Sequence, residues 1–321
     1  MSSQRLPNRL ALIVHGGAGN SLKNIDGCQA AAEAGFTQLL NGSTSLEAAV
    51  TAVTAMENDG RFNAGSGSTL RLDGKTIEMD AAVMDTRNHL GAVASIQHVK
   101  NPILVANAVT KTPHWLLVGE GALRFAKMIG FSEHQHLNEK AKAGYKKLMQ
   151  RMRQDPENDQ WLGTPNAFFV DNWNYQDSWQ NALDRLGSST VGAVALDTEG
   201  HFAVATSTGG CAPALMGRVG DVPIVGCGFY VGRLGAIAAT GIGEYIVKQT
   251  LTHTVYRWLE DGMPLQQALD QGVALFPEQI DIGLIGITFT DTATSSNREM
   301  PTYTLQVTPS PSRGKDGMGV K

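Results

Sequence analysis

Thr190 stands where the chain changes texture. The residues before it are polar and irregular, and the residues after it, Val191-Gly192-Ala193-Val194-Ala195-Leu196, form an apolar run. Within a chain, a threonine hydroxyl is a weak nucleophile unless a base lies beside it. An N-terminal threonine carries its own base, an α-amine with an ordinary pKa of roughly 7.7–8.0. Cleavage between Ser189 and Thr190 would create that amine. Taken in isolation, Thr190 reads more simply as a β-branched residue opening an ordinary strand.

Four more clusters carry chemistry of a related kind. Ala205-Thr206-Ser207-Thr208-Gly209-Gly210 closes the hairpin that Thr190 opens. Antiparallel pairing brings Thr208 back beside Thr190, within reach of its hydroxyl, although a Ser/Thr-rich turn has the same composition. Gly217-Arg218-Val219-Gly220-Asp221 sets a guanidinium fork three residues from a carboxylate. That pair suits the two charged ends of an amino acid, and a surface ion pair is the plainer alternative. Thr240-Gly241-Ile242-Gly243-Glu244 reads as a helix start, where N–H groups and the positive dipole end face outward. The Thr240 hydroxyl and Gly241 N–H suit an oxyanion there, and a threonine N-cap uses the same residues. In Arg61-Phe62-Asn63-Ala64-Gly65-Ser66-Gly67, the Asn63 amide can face a substrate and the loop carbonyls can ring a cation; a tight turn is the alternative. His15, at a strand end before a glycine turn, reads as a structural histidine.

The elements that must hold these residues are legible in part. Residues 10–14 read as a buried strand. Residues 27–40 carry helical spacing and stop at Asn41-Gly42. Thr44 and Glu47 make a capping-box pattern before a second helix. Residues 76–84 and 91–98 are strand-like. Asn101-Pro102 opens a helix, with Asn101 as cap and Pro102 at the first helical position. Residues 119–130 are helical. From 138 to 188 the chain starts as a basic helical stretch and turns into a linker. Residues 190–208 predict two alternating strands joined by a tight turn. A long helix is expected from Thr240 to about Glu260, another over 265–276, and a last strand over 282–289. The tail is expected to be disordered.

The 321 residues carry a net charge of −4, which speaks against nucleic acid or an anionic membrane as partner. The run 10–14 is too short for a signal-peptide core or a membrane span, so a cytoplasmic protein is expected. Three cysteines, Cys28, Cys211 and Cys227, are too few and scattered for a disulfide framework and lack zinc-site spacing. Helices and strands come in batches. No phosphate-loop or dinucleotide fingerprint is present.

Taken in order, HGGAG (15–19), FNAGSG (62–67), MDAAVMD (79–85), NPILVANAV with VGEGA (101–122), TVGAVALDTEG (190–200), ATSTGG (205–210), GRVGD (217–221) and TGIGE (240–244) resemble the plant-type asparaginase / isoaspartyl peptidase family of Ntn (N-terminal nucleophile) hydrolases. The resemblance implies an α/β chain of α+β type folded as a four-layer αββα sandwich. It implies one structural domain, self-cut into an α subunit (1–189) and a β subunit (190–321), and assembled as a dimer of αβ heterodimers. Thr190 would be nucleophile and base, supported by Thr208. Arg218 would hold the substrate α-carboxylate and Asp221 its α-ammonium. Thr240 and Gly241 would form the oxyanion hole, Gly243 would lie near the substrate backbone, and Asn63 would bind the reacting group or shape the site. Carbonyls of Met56, Glu57, Asp59, Phe62, Ala64 and Ser66 would coordinate a structural sodium ion, with no other cofactor required. The substrate would be asparagine or a β-aspartyl dipeptide; the alternatives are a glycosylasparaginase-like amidohydrolase and an unprocessed, non-catalytic relative that only binds amino acids. The chain departs from the family at Ser189, where glycine, or aspartate in some branches, is usual, and at residues 211–216, which are apolar where the family is more often polar. It also departs at Pro277–Asp281, where a glycine-rich turn is usual, and in the linker with Trp161, Trp173 and Trp179.

Overall fold

Strands buried on both faces lose polar alternation and read as unbroken apolar runs. The computed structural model, which describes residues 9–135, 139–152, 160–161, 164–165, 190–212 and 214–307, is built around such strands. Ser189, most of the 138–188 linker and the tail after residue 307 lie outside the described residues.

The front half contains β1 (Leu10–His15), α1 (Ile25–Leu40), α2 (Ser45–Asp59), β2 (Met79–Asp85), β3 (Leu90–Ile96) and α3 (Pro102–Val109). It continues with β4 (Leu116–Val118), α4 (Gly119–Met128), α5 (Glu139–Met152) and the two-residue strands β5 (Gln160–Trp161) and β6 (Thr164–Pro165). From Thr190 follow β7 (Val191–Leu196), β8 (Phe202–Thr208), β9 (Phe229–Gly232) and β10 (Gly235–Gly241). Then come α6 (Gly243–Gln249), α7 (Leu251–Glu260), α8 (Leu265–Ala274), β11 (Ile282–Thr288), β12 (Thr292–Ser296) and β13 (Thr302–Val307).

One sheet has seven strands in the order β13-β1-β7-β8-β2-β3-β4, antiparallel except for the β3–β4 pair. The other has four antiparallel strands, β12-β11-β10-β9. Side chains alternate between the two faces of a strand, and here each face meets a different layer. Leu12 and Val14 of β1, with Val191 and Ala193 of β7, pack under Phe36, Leu39 and Val53 of the α1–α2 layer. Their neighbours Ile13, Val194 and Leu196 pack on Phe229, Ala236, Ala238 and Ile285 of the second sheet. The far face of that sheet, Ile237, Ala239 and Leu284, is covered by Leu251, Val255 and Leu265 of α7 and α8. The result is the expected αββα stack, with three apolar seams between four layers.

Several local expectations hold. α1 ends at Asn41, and α2 carries the full capping box, with Thr44 Oγ1 accepting from Glu47 N and Glu47 Oε2 accepting from Thr44 N. Two need correction. Asn101 precedes α3 but does not cap it; its Nδ2 donates to Glu57 Oε2, and Ile103 N finds its acceptor on Glu57 Oε1. Thr240 and Gly241 end β10 instead of opening a helix. The helix starts at Gly243 and breaks at Thr250, which takes φ 43° between α6 and α7. Four strands without clear alternation, β4, β9, β10 and β12, and the polar β13 were not legible.

Candidate active site

Thr190 sits immediately before β7 and is buried. Val191 pairs with Ser207, so one further step along the ladder sets Thr190 opposite Thr208. β8 also pairs with β2, where Asp80 lies opposite Thr208. The ends of the central strands therefore converge. The turn after Thr208 is held by Asn63: Gly209 N donates to Asn63 O at 2.9 Å, and Asn63 Nδ2 donates to Gly210 O at 2.5 Å. Asn63 Oδ1 is taken by Thr69 N, so both ends of this amide are committed to shaping the turn. Thr208 Oγ1 accepts from Gly210 N.

His15 pairs with Gly192 across β1 and β7. Its ring is fully buried, and burial pushes its pKa down to about 3, so it is neutral. The main chain of Thr190 lies near enough to oppose that shift weakly, but no partner meets either ring nitrogen in hydrogen-bonding geometry among the described residues.

Thr190, Thr208, Arg218, Asp221 and Gly241 line one pocket, with Gly210, Cys211 and Gly220 between them. Arg218 is held by a bidentate pair with Glu244, Nε to Oε1 at 2.8 Å and Nη2 to Oε2 at 2.7 Å. Asp221 is buried, and its Oδ2 has no hydrogen-bond partner among the described residues. Burial pushes its carboxyl up to about 7, against the pull of its own main-chain N–H and the Arg218 charge. A Cβ at Gly243 would stand 2.8 Å from Asp221 Oδ1 and 3.0 Å from Arg218 Nη2, so only glycine leaves these two groups in place. Thr240 is fully buried beside Gly241, and its Oγ1 accepts from Ala18 N at 3.3 Å. An unpartnered buried carboxylate oxygen next to a guanidinium is complementary to a ligand bearing both charges.

The loop expected to hold sodium runs from the end of α2 to the 3-10 turn Gly65–Gly67. Its charged side chains are engaged elsewhere. Asp59 is clamped by Arg61, and the Glu57 carboxyl accepts from Ser207, Asn101 and Ile103. Burial pushes Glu57 up to about 8 despite those three donors. Any cation in the loop would rest on neutral carbonyls. That donor set fits a monovalent ion better than a divalent one, which prefers carboxylates. Met56, Phe62 and Ala64 are buried there, and Phe62 packs against Gly16 of the glycine turn after His15. Ser66 lies inside the 3-10 turn.

Several site residues were not legible. Glu244 closes the TGIGE motif with no signal of its own, and it is the partner of Arg218. Arg71 and Glu78 form a buried ion pair behind the pocket. The residues between them, Leu72-Asp73-Gly74-Lys75-Thr76-Ile77, are mostly polar or turn-forming and give no sign that the two flanking charges are buried.

Among the described residues no helix is long and apolar enough to cross a membrane. Comparison with known proteins agrees with this architecture. The family model described as Asparaginase matches residues 8–306. The chain is 38% identical over 289 residues to the plant-type L-asparaginase of Thermococcus kodakarensis, covering 88% of this chain and 90% of that protein. It is 38% identical over 291 residues to the isoaspartyl peptidase/L-asparaginase of Danio rerio, covering 87% and 85%. To the corresponding protein of Mus musculus it is 36% identical over 269 residues, covering 81% and 75%. By its layers, its pocket and these likenesses, the chain belongs to the asparaginase family and is an amide-bond hydrolase.

Proposed function

We propose that the chain cuts itself between Ser189 and Thr190 and then hydrolyses the side-chain amide of L-asparagine and the isopeptide bond of β-aspartyl peptides. The supporting observation is that one pocket holds a strand-initial threonine together with the Arg218 guanidinium and the unpartnered Asp221 carboxyl. Those charges match the two ends of a free amino acid. The names of the relatives agree with this substrate class.

In the first event, Thr190 Oγ attacks the Ser189 carbonyl carbon and the acyl group moves from nitrogen to oxygen. Water hydrolyses the ester, leaving the Ser189 carboxylate and a free Thr190 amine. That amine then takes the Oγ proton as Oγ attacks the substrate side-chain carbonyl. The Thr240 hydroxyl and Gly241 N–H stabilise the oxyanion, and Thr208 orients Thr190. Ammonia or an amino acid leaves with a proton. Water attacks the remaining ester, freeing aspartate and restoring Thr190. Arg218 and Asp221 hold the α-carboxylate and α-ammonium throughout, with Gly243 giving the substrate backbone room. The α part (1–189) and β part (190–321) stay together as one domain and pair with a second copy. Sodium in the 56–66 loop would fix that loop's shape.

Steady-state assays on L-asparagine, a β-aspartyl dipeptide and N-acetyl-L-asparagine test the reading. Hydrolysis of the first two, with the acetylated compound at least about a hundredfold poorer, is expected, because acetylation removes a charge-assisted contact and leaves Asp221 buried without a partner. Equal turnover of the acetylated compound would remove Asp221 from its role.

A further inference from the structure

We propose that Arg71 and Glu78 form a buried positioning unit for Arg218, which sets affinity for the substrate α-carboxylate; this rests on the function proposed above. The Arg71 side chain is 1% exposed and that of Glu78 5%. Placing a guanidinium in a protein interior is expensive unless its donors are used, and an apolar pair of similar volume would serve stability equally well. The placement of these two charges is what gives them a purpose.

Both charges act on the backbone of the loop that carries Arg218. Arg71 Nε meets Glu78 Oε2 at 3.1 Å, and Arg71 Nη2 donates to Arg218 O at 3.1 Å. The same Glu78 Oε2 accepts from Gly217 N at 2.7 Å. The dipeptide Gly217–Arg218 is thus gripped by its first N–H and its last C=O. Leu72 N donates to Ala214 O at 2.9 Å and ties down the same loop further upstream. Glu244 holds the other end of Arg218, the guanidinium. Backbone and side chain of Arg218 are therefore fixed by separate charged partners.

Neither Arg71 nor Glu78 lines the pocket. Arg71 nevertheless stands directly behind its wall. Its Nη1 lies 2.5 Å from where a Cβ of Gly210 would be, and it has no hydrogen-bond partner among the described residues. The Arg71–Glu78 pair thus stands behind the Gly210 wall as well as under the Gly217–Arg218 backbone. Its hold on Arg218 is expected to show in carboxylate binding.

The test is steady-state kinetics on L-asparagine for Arg71→Lys, Arg71→Met and Glu78→Gln, with kcat and KM resolved and the extent of cleavage checked by mass. A KM raised about tenfold or more is expected, the loss of one charge-assisted hydrogen bond, with kcat little changed. Discrimination between L-asparagine and its α-carboxamide should shrink in parallel, which a merely structural role would not do. An unchanged KM, or a fall in kcat and melting temperature with KM and discrimination intact, overturns the proposal. If Arg71→Met does not fold, Arg71→Lys and Glu78→Gln decide, since Lys keeps the positive charge and Gln keeps the volume and one side-chain acceptor. Calorimetric binding of L-aspartate to wild type and Arg71→Lys reads the same clamp without turnover. Wild type that binds aspartate more tightly than the variant but hydrolyses nothing would overturn the functional reading alone.

Discussion

Asp221 is where charge and burial compete most directly in the pocket. Its carboxyl is pushed from the ordinary 3.8 up to about 7. A folded value above the unfolded one means that the protonated form is favoured in the empty protein. The resulting stability is complete below about pH 4 and is lost as pH rises through about 7. Binding of a substrate ammonium by Asp221, as proposed above, would run the other way, because an ammonium needs the ionised carboxylate. KM for L-asparagine is therefore expected to rise as pH falls below about 7, with the slope of a single proton, in wild-type protein. Asp221→Asn should bind weakly at every pH and show no such slope; a slope that survives in this variant would assign the titration elsewhere. At this scale the sequence was most informative where side-chain chemistry and spacing coincide. Thr208 could be placed from hairpin length, and Arg218 with Asp221 from a three-residue interval. Arg71, Glu78 and the carboxyl of Glu57 were not legible, because their partners lie on loops and strands far away in sequence.

Single elements carry two further expectations. Thr44 caps α2 through a reciprocal pair with Glu47, and Thr44→Ala is expected to lower stability by about 1 kcal/mol in urea unfolding, with the denaturant slope unchanged. Gly192 lies opposite His15, and a Cβ there would approach His15 Nε2 to 2.4 Å, with the imidazole buried and unable to move into solvent. Gly192→Ala should therefore cost about 1–3 kcal/mol and disturb the strand that Thr190 opens; wild-type stability in that variant would mean that β1 and β7 yield more readily than packed strands do. Element boundaries were read well where caps and helical spacing mark them, as in α1 and α2. β10 carries no strand signal because Gly-Ala-Ile-Ala-Ala-Thr-Gly is buried on both faces, lacks alternation and is rich in residues with little preference for strands. Its last two residues, Thr240 and Gly241, therefore read as the start of the helix that begins at Gly243.

Strand order across the whole molecule is what would keep a chain cut before Thr190 folded. β7 and β8 follow the expected cut, yet they lie between β1 and β2 of the front half. β13, the last described strand, pairs with β1, the first. The two parts therefore share one seven-stranded sheet and the seam beneath α1 and α2, and the cut removes no ladder bond between them. After cleavage, fragments 1–189 and 190–321 should co-elute on size exclusion in native buffer and separate only in denaturant. Separation in native buffer would contradict the interleaved sheet. The four-layer stack follows from the motif order and not from any one element, since three of the four strands of its second sheet, β9, β10 and β12, carry little strand signal in the sequence.

The central claim is that Thr190 becomes an N-terminal nucleophile, and intact-mass spectrometry after prolonged incubation at neutral pH tests it most directly. The account predicts two fragments with a junction at Ser189/Thr190, their masses summing to the precursor plus one water, and a single uncut mass for Thr190→Ala, which should also be inactive. A chain that hydrolyses L-asparagine while remaining uncut, or that is cut at another bond, would contradict it.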